Sequence, residues 1–114
     1  MARFELYREF VLRALRKRRP WRVSGDSMMP EFRDGDLVLL DPSAQVKTDD
    51  VVVARHPFKK LDVIKYVDAV DDDGYLRLRS PGGEDSSQFG RVAASTVRGR
   101  VTINVSAARS DRRS

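Results

Sequence analysis

Two segments hold residue types that could do nucleophilic chemistry together. One is a serine ahead of a methionine–proline turn, Ser27-Met28-Met29-Pro30, and the other is a lysine inside an aliphatic run, Leu61-Asp62-Val63-Ile64-Lys65-Tyr66-Val67. The chain has no cysteine and a single histidine, His56, so Cys/His and Ser/His pairings have little to work with. Read as a strand, Leu61 to Val70 puts Leu61, Val63, Lys65, Val67 and Ala69 on one face and Asp62, Ile64, Tyr66 and Asp68 on the other. Lys65 therefore falls in the middle of the more apolar face. An ammonium on such a face loses hydration, and an amine kept neutral near pH 7 can act as a general base. The competing account is a lysine that snorkels from a strand edge into water. The serine segment tips the reading toward chemistry.

Ser27 follows Val23-Ser24-Gly25-Asp26. Gly25, two residues ahead of it, lets a substrate backbone approach without meeting a side chain, and Pro30 is expected to hold Met29 extended. A serine in such a bend can present its hydroxyl to a carbonyl while backbone N–H groups meet the developing oxyanion. Gly25, Ser27 and Met28 are the residues expected to line that place. The plain alternative is a serine that only satisfies local backbone groups before a turn.

The elements that must position these residues are of two kinds. Phe4, Tyr7, Val11, Ala14 and Leu15 recur at spacings of three and four, with Leu6 and Phe10 widening the stripe, which predicts an amphipathic helix over residues 4 to 18 that Pro20 ends. It would pack on its own domain or lie on a membrane or a partner. From Trp21 onward the pattern changes to short β-like runs. Strands are expected at Trp21 to Ser24, Asp36 to Leu40, Asp50 to Arg55, Leu61 to Val70, Tyr75 to Arg79 and Val97 to Val105. Turns are expected at Asp34-Gly35, Asp73-Gly74 and Pro81-Gly82-Gly83. Residues 106 to 114 read as a frayed tail.

Composition bounds the rest. A chain of 114 residues with 40% hydrophobic and 34% charged residues suits one folded domain. Without cysteine there are no disulfides and no thiolate zinc sites, and His56 with scattered carboxylates forms no convincing metal-ligand cluster. No metal and no organic cofactor is expected. The formal charge of +5 gathers at the ends, in Arg13 to Arg22 and Arg109 to Arg113, while the middle holds acidic clusters such as Asp71-Asp72-Asp73. No stretch reaches the roughly 20 apolar residues a membrane-spanning helix needs. The basic run Arg16 to Arg19 follows the N-terminal apolar stripe rather than preceding it, unlike a secretory signal. The expectation is a cytoplasmic protein without a transmembrane segment, with peripheral membrane contact open. No nucleic-acid partner is expected: one helix is too little for a helix-turn-helix, and no strand interleaves aromatic and basic residues.

Several ordered boxes carry a resemblance. Val23-x-Gly25-x-Ser27-Met28-x-Pro30, Gly35-Asp36-x-Val38, Asp50-Val51-Val52, Ile64-Lys65-x-Val67, Asp85-Ser86-x-x-Phe89-Gly90-x-Val92 and Gly99-Arg100-Val101 resemble, in sequence, the boxes of the signal peptidase I family of serine endopeptidases. The resemblance implies Ser27 as nucleophile, Lys65 as general base, and a mainly β fold shared with LexA-type self-cleaving repressors. It also implies a precursor protein bound as an extended peptide beside the catalytic strand. The domain plan that follows is a basic amphipathic helix over 1–20, a Ser/Lys peptidase domain over 21–105 and a flexible basic tail over 106–114. With no anchor in the sequence, the chain resembles the branch of nickel-type superoxide dismutase maturation proteases, which implies removal of an N-terminal extension from that precursor.

The departures from the family pattern lie near the pair. Gly83 stands where the family often has a serine to bond the lysine, and Ser87 stands where an arginine would pair with the aspartate matched by Asp85. Asp85 and Ser86 are the expected supports of the pair. Ser86 or Ser80 is the candidate to orient Lys65, and the sequence places neither. Asp49 replaces the usual glycine before Asp50-Val51-Val52, which reads as a changed turn, and His56 before Pro57 reads as an exposed loop histidine. Two further readings compete with the maturation protease. One is a signal-peptidase-like enzyme docked peripherally on the membrane through the N-terminal helix. The other is a non-catalytic LexA-like regulatory or nucleic-acid-binding module.

Overall fold

The computed structural model describes residues 17–81 and 91–110. The expected N-terminal helix lies outside them apart from Lys17 and Arg18, and Gly83, Asp85, Ser86 and Ser87 lie outside them altogether. Seven strands among the described residues form one sheet: β1 (Arg19–Arg22), β2 (Leu37–Asp41), β3 (Val51–Arg55), β4 (Asp62–Val70), β5 (Tyr75–Arg79), β6 (Arg91–Ala93) and β7 (Val97–Asn104). The order across the sheet is β1-β2-β7-β3-β4-β5-β6, and every neighbouring pair is antiparallel. The mainly β expectation holds.

The centre of the sheet follows from β3. Val52, Val53 and Ala54 are fully buried, as a β-branched run is when both of its faces are covered. Successive residues point to opposite faces. Val53 accordingly packs with Val23, Met28, Phe32, Val38, Leu40 and Ile64, whereas Val52 and Ala54 pack with Val67, Leu76, Leu78 and Val92. β5 shows the simpler alternation, with Leu76 and Leu78 buried and Tyr75 and Arg77 exposed.

Several boundaries differ from the sequence expectation. β1 starts at Arg19 and takes in Pro20, which is tolerated because β1 is the edge strand and a residue without an N–H leaves no central ladder incomplete. β6 was not expected, since three residues are too few to display a period of two. Residues 105–110 form a helix, α1 (Val105–Ser110), where the tail was expected to start at 106. Asn104 caps it by accepting from the Ala107 N–H at 3.1 Å, and Ser106 Oγ accepts from the Leu37 N–H at 2.9 Å, so the helix is fastened to β2. Asp49 has φ 73°, the left-handed conformation usual for glycine and tolerated by aspartate. The turn before β3 thus keeps a glycine-type backbone.

Candidate active site

Lys65 lies on β4 opposite Val52 of β3 and is 3% exposed. Its strand neighbours Ile64 and Tyr66 pack with the other apolar layer, so Lys65 occupies the face of Val63 and Val67, as the alternation predicts. Its Nζ donates to Ser27 Oγ at 3.0 Å and to Ser80 Oγ at 2.7 Å. Burial removes water from the amine, and hydroxyl partners replace part of that hydration.

Ser80 reaches the amine through a defect in the sheet. β4 and β5 pair Val70 with Leu76 and Ala69 with Arg77. The register then shifts between Val67 and Ala69, so that Val67 meets Leu78 and Tyr66 meets Arg79. One step further sets Ser80 against Lys65. Without the bulge the same count would set Ser80 against Tyr66, on the opposite face.

Ser27 sits in the turns between β1 and β2, and its side-chain environment is the reverse of that of Lys65. The serine is exposed while its neighbour Met28 is 1% exposed. The Met28 side chain is a core anchor, so any part Met28 takes at the site belongs to its backbone. The loop is fastened throughout. Met29 N–H donates to Asp26 O at 3.1 Å and Phe32 N–H to Met28 O at 3.0 Å, and the Gly25 N–H donates to Asp34 Oδ1 at 2.7 Å. Asp36, buried at 3%, accepts from Arg33 N–H at 2.9 Å and from Asn104 Nδ2 at 2.8 Å, which ties the loop to the end of β7. Among the described residues no hydrogen bond uses the backbone N–H of Ser27 or Met28. A side chain added at Gly25 would meet nothing within 4 Å. The Met29–Pro30 peptide bond is cis, and residues 27–31 form turns in place of the extended Met29 expected from the sequence.

His56 is half-buried rather than exposed. Its Nδ1 accepts from the Phe58 N–H at 3.0 Å and the Lys59 N–H at 3.1 Å, so it organises the hairpin between β3 and β4. Desolvation, followed by the charges of Lys59 and Lys65, lowers its pKa from the ordinary 6.5. The neutral ring suits this task because a protonated Nδ1 could not accept those bonds.

The structure thus brings together Ser27, Lys65 and Ser80, with Gly25 and the Met28 backbone beside the serine. Asp36 and Asn104 are supports that sequence reasoning assigned no task. The Gly35-Asp36 box was the available signal for the first, and Asn104 carried none. Among the described residues no group of three or more His, Cys, Asp or Glu side chains is placed to hold a metal ion, and no helix is long and apolar enough to cross a membrane.

The fold is a mainly β antiparallel sheet with a buried lysine against a loop serine, and the comparison with known families bears on its class. The chain matches the Peptidase S24-like family over residues 6–102 and belongs to it. Membership supports a serine peptidase or a LexA-like module. No curated protein sequence matches the chain.

Proposed function

We propose that the protein is a serine endopeptidase in which Ser27 is the nucleophile and Lys65 the general base, and that it trims an N-terminal extension from a precursor protein, the nickel-type superoxide dismutase precursor in particular. The observation that carries the reading is the 3.0 Å separation between an exposed serine hydroxyl and a lysine amine that is 3% exposed. That distance suits direct proton transfer. The choice of precursor rests on the motif resemblance alone.

In the proposed reaction Ser27 Oγ attacks the scissile carbonyl while its proton passes to Lys65 Nζ. The backbone N–H groups of Ser27 and Met28 are the donors for the oxyanion. Collapse of the tetrahedral adduct breaks the C–N bond, and Lys65 returns the proton to the leaving nitrogen, freeing the new N-terminus. Water, losing a proton to Lys65, then attacks the Ser27 ester; collapse of the second adduct breaks the bond to Ser27 Oγ, Lys65 returns the proton to that oxygen, and the cleaved extension leaves as a carboxylic acid. Ser80 holds the amine in place.

The sheet offers an edge for an extended substrate. β4 meets β3 from Asp62 to Tyr66, yet on its other side the described residues pair with it only from Tyr66 to Val70. Among the described residues the stretch from Asp62 to Ile64 therefore has a side on which a peptide could add as a strand.

The test is to incubate the purified protein with a nickel superoxide dismutase precursor and with a secretory precursor and to identify by mass which N-terminus is trimmed. Trimming of the first alone, abolished by Ser27→Ala and by Lys65→Ala, is the expected result. Processing at the parental rate by either variant would overturn the assignment of roles. Trimming of the secretory precursor alone would replace the proposed substrate with the signal-peptidase-like one.

A further inference from the structure

The hairpin between β3 and β4 ends in His56-Pro57-Phe58-Lys59-Lys60-Leu61, which carries the most exposed large hydrophobic side chain among the described residues. Phe58 is 76% exposed and Leu61 44%. Arg55, Lys59 and Lys60 around them are exposed, and none of the ion pairs among the described residues involves these three cations. Several arginines elsewhere on the sheet are matched. Arg77 and Arg91 face Asp71, Arg79 faces Asp49 and Asp68, and Arg98 faces Asp62.

The tip is held in this shape by its own bonds. His56 N–H donates to Leu61 O at 2.8 Å and Leu61 N–H to Lys59 O at 2.9 Å, while His56 Nδ1 takes the Phe58 and Lys59 N–H groups. The Phe58 ring meets the His56 ring edge-on at 6.1 Å between centroids. An aromatic side chain is thus fixed facing outward and ringed by unmatched positive charge.

We propose that this tip is a docking element for an anionic membrane surface. The small exposed apolar area decides the kind of partner. A stable protein interface buries about 800 Å² on each side, more than a six-residue tip with two apolar side chains can offer. A lipid surface asks for less. One aromatic and one aliphatic side chain enter the headgroup boundary, and each lysine or arginine beside them gains attraction to anionic headgroups. The docking does not depend on the peptidase reading, but it has a consequence for it. Lys65 follows Leu61 by four strand positions, about 13 Å at the rise of an extended chain. A membrane held at the tip would set the Ser27–Lys65 pair near a peptide segment leaving the bilayer.

The test is co-sedimentation of the full chain with phosphatidylcholine vesicles and with vesicles also containing phosphatidylglycerol. The expected result is binding to the second kind only, weakened by added salt. Phe58→Ser combined with Leu61→Ser, and separately Lys59→Glu combined with Lys60→Glu, should each lower the bound fraction roughly tenfold, with thermal melting like that of the parent. All variants keep the basic run Arg13 to Arg22, so lipid binding by that run is common to them. Parental binding by both double variants would overturn the proposal, as would failure of the parent to bind the anionic vesicles.

Discussion

Lys65 and Arg91 are basic side chains on one sheet, and they are held in opposite ways. Lys65 is 3% exposed in the middle strands, and its amine bonds the hydroxyls of Ser27 and Ser80. Arg91 is exposed on the edge strand β6, where it bonds Asp73 at 2.6 Å and Asp71 at 3.4 Å and lies 4.8 Å over the Tyr75 ring. Those carboxylates, Asp73 first, push the guanidinium pKa further up. A guanidinium so placed cannot release a proton and can only fasten. An amine among hydroxyls can exchange one with them, and only there does an exposed nucleophile stand within reach. Burial and partner type separate the reactive basic side chain from the structural one.

The largest expected effect tests that separation directly. Ser27→Ala and Lys65→Met should each lower the initial rate of precursor trimming by roughly 10³-fold or more, as loss of a nucleophile or its base does in serine peptidases. Arg91→Ala should leave the rate unchanged. If Arg91→Ala slowed trimming as much as Lys65→Met, the contrast between the two basic side chains would carry no functional meaning. Circular dichroism of each variant checks that the sheet survives.

Much of this contrast was legible in the sequence where a short-range pattern decides it. The alternation along Leu61 to Val70 placed Lys65 on an apolar face, and the apolar run Val51 to Ala54 marked a strand. The nearness of Ser27 to Lys65, 38 positions apart, came only through the resemblance, because no local pattern fixes how a loop meets a strand. Ser80 was named without a place for a physical reason. Its facing of Lys65 depends on the bulge between Val67 and Ala69, and a one-residue slip moves a side chain to the other face. α1 was hidden in a tail-like composition, since the Asn104 cap and the Ser106 bond that fasten it act on partners fixed by the fold.

Two smaller effects sharpen the comparison by separating chemistry from scaffold. Ser80→Ala should lower kcat by less than the roughly 10²–10⁴-fold that general-base transfer supplies, with KM little changed. It should also shift the pH profile of kcat, which a merely structural serine would not do, and Ser80→Thr should restore part of the rate. A Ser80→Ala enzyme with parental kcat would remove Ser80 from the site. Gly99→Ala acts on the frame instead. The added Cβ would lie 2.9 Å from Leu40 Cβ and 3.1 Å from the Asp41 backbone, so a destabilisation of about 1–3 kcal/mol in denaturant titration is expected, with kcat per folded molecule unchanged.

The smallest effect belongs to the exposed cation's partner. The Arg91 hydrogen bond, first among several causes, holds the Asp73 carboxyl below its ordinary 3.8. The unfolded chain therefore binds this proton more readily than the folded one, and the carboxylate adds stability above pH 3.8 that is lost as pH falls through the lowered folded value. Asp73→Asn removes that contribution at all pH values. The melting temperatures of parent and Asp73→Asn should differ slightly near neutrality, less in high salt, and converge as the medium is acidified past 3.8, because a solvent-exposed pair is weak and screened. A gap that stayed constant into acid would mean that Asp73 supports the edge through its shape rather than its charge. Arg91 would then no longer stand as the carboxylate-held counterpart of Lys65.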